Sequence, residues 1–129
     1  MASKKIRLSR REFEEVVERA VSRIPWEIRR HLDNVVITVE HRPSPELLEE
    51  MGLPSGETLL GLYDGVPLPE RSLTEPPLYP DTIYIFQDPL ERLCSTREEL
   101  IEEIELTVVH EIAHAFGISD EHLEELGYG

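Results

Sequence analysis

Residues Val109–Glu121 read VHEIAHAFGISDE, and contain His110-Glu111-x-x-His114 followed by Gly117 and Asp120. An α-helix has 3.6 residues per turn, so positions four apart return to one face a turn away. His110 and His114 can therefore offer two imidazoles to a single ion. Glu111, beside the first histidine, can reach a water on that ion rather than the ion itself. This is the mechanical content of the H-E-x-x-H pattern, and the ion it indicates is Zn2+. The bland alternative is two surface histidines on an acidic helix.

A catalytic zinc needs three protein ligands and one open position. The spacing H-E-x-x-H-x-x-G-x-x-D nominates Asp120, with Gly117 allowing the chain to reverse and bring it back. His122 and Glu124 are the other candidates. If Ser119 begins a new helix, His122 lies roughly 200° around it from Asp120, so the two are alternatives rather than partners. Glu124 falls on the Asp120 face and could brace the site. His31 and His41 are distant in sequence and are not assigned to it.

The chain upstream supplies a support for this stretch. Ser95 with Glu98, or Thr96 with Glu99, offers an N-cap for a helix running to about Phe116. Leu100, Ile101, Ile104, Val108, Ile112 and Ala115 lie near one stripe of it, and Gly117 stands where a left-handed cap is easiest. Ser119 can cap a last short helix, Asp120–Leu126. Thr82–Phe86 alternates as a strand that Asp88-Pro89 closes. Val35–Val39 is β-branched and reads as a largely buried strand, and Thr58–Tyr63 as another. Gly61 inside it marks a bulge or a close backbone approach. Val66–Pro80 is too proline-rich for either element and reads as an ordered loop, a rim over a site or a stiffened connector. Ser9–Ile24 is an amphipathic helix with a Ser9/Glu12 capping box, ended by Pro25, and Trp26–Leu32 adds a further turn. Ser44 and Pro45 start a short helix that stops at Gly52. The order gives one α+β domain over residues 1–129, with helices on one face of a small sheet.

Composition narrows the function classes. A net charge of −14 argues against nucleic acid and anionic membranes as partners, since phosphate binding needs clustered Lys and Arg. A peptide or protein substrate is compatible with it. Apolar runs are too short to span a bilayer, and the charged N-terminus lacks a secretory pattern, so cytoplasmic residence is the expectation. A single cysteine, Cys94, permits no internal disulfide and reads as a small buried residue. A monomer is the default. Only one Asn and one Gln stand beside ten Pro, a pattern that suits a warm-living source.

HEIAHAFGISDEHLEELGYG resembles the C-terminal end of a bacterial family of minimal zincins, small zincin-like metallopeptidases. LLGLYDGVPLPERS and DTIYIFQDPLERLC resemble its central blocks, while the N-terminal third matches only as helix then strand. The resemblance implies a zincin-like fold, a small twisted mixed sheet packed on an active-site helix. It implies zinc on His110, His114 and Asp120, with Glu111 as the base. The spacing is also similar to that of metzincins, with Asp120 where they have a third histidine and no methionine turn after it. The implied activity is zinc-dependent peptide-bond hydrolysis. The rival is a zinc-containing module that binds peptides or proteins without cleaving them.

An extended substrate would pair with Thr82–Phe86 if that strand is exposed. Tyr128, His122 and Tyr84 are candidate donors to the reacting carbonyl. A carboxylate ligand leaves the centre less positive than three histidines would, so its water is acidified less. Activity is expected to rise toward alkaline pH, and a pH–rate profile peaking in acid would contradict the carboxylate ligand.

Overall fold

The computed structural model describes residues 5–54, 58–65 and 80–128. Along them run α1 (Arg10–Ser22), α2 (Trp26–Arg29) with a 3-10 turn (Arg30–Leu32), β1 (Val35–Glu40) and α3 (Pro45–Glu50). Then come β2 (Gly61–Asp64), β3 (Asp81–Phe86), α4 (Gln87–Arg92), α5 (Arg97–Phe116) and α6 (Asp120–Glu125). The architecture is the expected α+β one, and the loop expected over Val66–Pro80 lies outside the described residues up to Pro80.

Local signals set the helix starts. Ser9 Oγ accepts the Glu12 N–H, while the Ser9 N–H donates back to Glu12 Oε1, each at 3.1 Å. Two otherwise orphaned first-turn donors are thereby satisfied. Of the two caps offered to α5, Thr96 is used, accepting from the Glu99 N–H at 3.1 Å. Phe13, Val16, Val17 and Ala20 of α1 are buried and pack toward α5. On α5, Val109 and Ala113 are buried beside the expected stripe, whereas Ala115 is only half-buried. The helix is thus enclosed on a wider arc than one stripe, between α1 and the sheet.

The sheet order is β1-β3-β2, with β1 parallel and β2 antiparallel to β3. Register places Ile37, Ile83 and Tyr63 in one row and Val39, Ile85 and Gly61 in the next. Strand alternation puts both rows on the same face. Ile83 and Ile85 are fully buried there, while Val36 on the other face is 46% exposed. β1 is consequently a half-exposed edge strand rather than the largely buried one expected from its β-branched run.

Two further corrections concern β3 and its exit. Its six residues pair with β1 along their whole length, and Thr82–Ile85 pair with β2. It is the central strand, and no peptide can add to it. The strand closes at Phe86, just before Asp88-Pro89 as expected, but a helix not expected from the sequence, α4, follows it directly. First-turn positions need no intrahelical N–H partner, so Pro89 is tolerated, and the Asp88 N–H donates instead to the His41 carbonyl at 2.8 Å. Gln87 and Glu91 of α4 then hold the chain before α1. Gln87 Nε2 donates to the Leu8 carbonyl at 2.9 Å, and Glu91 Oε2 accepts the Leu8 N–H at 2.9 Å.

β2 is shorter than expected, beginning at Gly61, and it lies against α5. A methyl group at position 61 would stand 2.7 Å from Thr107 Cγ2 and 3.1 Å from the Tyr84 carbonyl oxygen. The close backbone approach inferred from Gly61 is therefore real, and its partner is α5. Gly61→Ala is expected to cost about 1–3 kcal/mol by overpacking. Thr107→Ser removes the clashing Cγ2 but keeps the hydroxyl that donates to the Glu103 carbonyl, so the double variant should recover part of that loss in chemical denaturation.

Candidate metal centre

α5 carries His110, Glu111 and His114 in its last two turns. His110 and His114 are both exposed, and Glu111 is half-buried. Among the described residues no hydrogen bond or ion pair engages either imidazole. Glu111 is held: its Oε1 accepts the backbone N–H of Tyr63 on β2 at 2.8 Å. The carboxylate thus sits where the sheet meets the helix, next to two open nitrogen donors.

The helix ends as Gly117 predicts. Gly117 has φ 68°, in the left-handed region, and its N–H and that of Ile118 both point to the Ala113 carbonyl. These bonds converge on that one carbonyl and reverse the chain. Ser119 then caps α6, accepting the His122 N–H at 3.1 Å, and Leu123 anchors the short helix in the core. Asp120 is the first residue of α6 and exposed. His122 Nδ1 lies 3.6 Å from Glu125 Oε2, so that imidazole has a carboxylate neighbour on its own helix, whereas no such contact engages Asp120 among the described residues.

Two imidazoles one turn apart, with a carboxylate just past a chain reversal, match the nitrogen and oxygen donors that Zn2+ takes. Among the described residues, no three His, Cys, Asp or Glu side chains are drawn together as a group that could hold a metal ion. The pair on α5 fits such an ion through its i, i+4 spacing and exposure. Asp120, His122 and Glu124 are brought to the same end of the helix without closing on the pair.

Other residues fall away from the site or toward it. Cys94 is fully buried, and burial, followed by Glu103 and Glu99, pushes its thiol up to about 11, as befits an inert core residue. Tyr84 alternates with Ile83 and Ile85 and lies on the sheet face away from α5, so it is not a donor to the site. His41 is exposed beside Arg42.

His31, which sequence distance set aside, stacks on Phe116 at 4.6 Å, and Phe116 meets the Tyr63 ring edge-on at 5.9 Å. Burial, then Arg30, lowers the His31 pKa. Nothing local in the sequence pairs 31 with 116, since the contact depends on how α2 and the 3-10 turn return to α5. Tyr63 did carry a signal, because it shares a strand face with Gly61, whose close approach pointed to a neighbouring element.

A family model described as zincin-like metallopeptidase matches residues 32–129 of this chain. No curated protein matches it. Among solved structures, a conserved hypothetical protein from T. thermophilus is similar, with a TM-score of 0.51 and 24% identity, covering 92% of this chain and 96% of that one. That likeness is one of fold.

Tyr128 lies elsewhere than its position in sequence suggests. Its hydroxyl donates to Glu105 Oε2 at 2.6 Å, and Glu105 pairs with Arg23 at 3.0 Å. Position 105 faces well away from 111 on the same helix. Burial and then the Glu105 bond hold the phenol protonated far above the ordinary tyrosine range. The group ties the C-terminal end to α1 and α5 and is not a donor to the site. Tyr128→Phe should lower unfolding free energy by about 1–2 kcal/mol while zinc affinity, measured by competition with a chromogenic chelator, stays unchanged.

Proposed function

The chain belongs to the zincin-like metallopeptidase family, and from that premise we propose that it is a zinc-dependent peptidase whose general base is Glu111. The observation that carries the reading is the Glu111 carboxylate fixed at the edge of the sheet, on the helix that carries two exposed histidines one turn apart. His110 and His114 would hold the ion as neutral imidazoles. Asp120 is the preferred third ligand, being unengaged where His122 has Glu125 as a neighbour.

A zinc ion there supplies Lewis acidity, which acidifies water and polarises a peptide carbonyl. Glu111 accepts the proton of the attacking water and returns it to the leaving amine. Because β3 is filled on both sides, an extended peptide would run along β2, which among the described residues is an edge strand lying on α5; the Tyr63 N–H there already serves Glu111, so pairing would use the other outward backbone groups. That position would bring a scissile bond near Glu111. Among the described residues no helix is long and apolar enough to cross a membrane.

Metal content and cleavage separate the reading from its rival, a zinc-containing module that binds without cutting. Wild-type protein purified in zinc should carry close to one ion per chain, and His110→Ala should lose it. Less than about half an ion per wild-type chain would sink the metal assignment. In a broad peptide-library assay, Glu111→Gln should retain zinc and lose activity by roughly a hundredfold or more. Full zinc occupancy with no cleaved library member would favour the binding module.

A further inference from the structure

We infer that the backbone N–H of Tyr63 is the positioning group for Glu111, an assignment that rests on the peptidase reading above. The ladder shows which way this N–H points. The Phe86 N–H donates to the Leu60 carbonyl at 3.0 Å, so Leu60 belongs to a hydrogen-bonded pair with β3. In an antiparallel ladder such pairs alternate with pairs whose backbone groups face away. Leu62, opposite Tyr84, therefore bonds to β3, and Gly61 and Tyr63 turn their N–H groups outward. On an edge strand an outward N–H ordinarily goes to water or to an added strand. Here it goes to a carboxylate oxygen at 2.8 Å.

The donor is itself fixed from two sides. Toward α5, Gly61 seats the strand on Thr107, one helical turn before Glu111, and the Tyr63 ring meets Phe116 edge-on. Toward β3, the Tyr63 hydroxyl donates at 2.5 Å to Asp81 Oδ2, and Asp81 is only 7% exposed. A glutamate has three side-chain torsions to restrain before it can act in one orientation. A charge-assisted bond from an immobile amide restrains them, committing Oε1 and leaving Oε2 to meet a water. Packing alone does not account for the contact, because an apolar residue at 111 would fill the space against β2 without desolvating a carboxylate.

Substitution can remove this N–H without removing a ladder bond. Proline is tolerated on an edge strand where its missing N–H faces outward. Tyr63→Pro and Tyr63→Ala both lack the ring and hydroxyl and differ in the amide. With zinc-loaded protein, Tyr63→Pro should show kcat lower than Tyr63→Ala by roughly tenfold or more, at similar KM and equal zinc affinity. Equal kcat in the two variants would overturn the assignment.

A second measurement stands if Tyr63→Pro fails to fold. In a proton–nitrogen NMR spectrum of the metal-free protein, the Tyr63 amide should lie downfield and exchange slowly, and Glu111→Ala should abolish both features. An amide insensitive to Glu111→Ala would overturn the contact itself. A wild type that cleaves no peptide while its Tyr63 amide responds as expected would overturn the peptidase reading instead, and with it the catalytic part of this role.

Discussion

Gly61 brings the backbone of β2 against α5 at Thr107, so closely that a methyl group there would stand 2.7 Å from the threonine Cγ2. Most of the site geometry follows from that approach. With the strand seated on the helix, Tyr63 comes level with the next turn, where Glu111 meets its N–H. A bulkier residue at 61 would lift β2 and open this distance, because interiors packed at crystal-like density do not absorb an added methyl freely. The carboxylate and the strand edge are therefore set by the same packing contact.

The scaffold around that contact is ordinary hydrophobic burial. Leu100, Ile104, Val108 and Ile112 of α5 are fully buried, as are Phe13 of α1 and Ile83 and Ile85 of β3. Each such side chain contributes on the order of 1.5–3 kcal/mol relative to exposure, against the conformational entropy of ordering the chain. The functional side chains lie outside this layer. His110, His114 and Asp120 are exposed, so the fold does not depend on their identity. This separation is what allows His110→Ala to be read as a change of chemistry rather than of folding.

Much of this was legible in the sequence because it is local. The Ser9, Ser44, Thr96 and Ser119 caps, the α5 stripe and the left-handed Gly117 depend only on neighbours within a turn or two, and the structure has each of them. What was missed is non-local or overridden by context. α4 was hidden because Pro89 reads as a breaker, although a first-turn proline breaks nothing. The central place of β3 could not be read from its alternation, which is the same for an edge strand and a middle one. His31 reaches Phe116 across most of the chain, and Tyr128 turns to Glu105 rather than toward the histidines. The histidine pair and Glu111 were legible as a motif, but the amide that holds Glu111 comes from a strand nearly fifty residues earlier.

The electrostatic setting of the motif is also built by the helix that carries it. From Arg97 onward the sequence has one Arg and no Lys against ten carboxylates. His114 lies in the last turn of α5, where unsatisfied carbonyls give the helix end a partial negative charge. A divalent cation there is favoured by that charge and by the surrounding carboxylates, and a phosphate is opposed by both. Salt weakens the effect of the distant exposed carboxylates more than that of the helix end, since screening acts over about 8–10 Å in physiological buffer. The preference for a cation at this end of α5 is thus partly a property of the backbone, present before any ligand residue is counted.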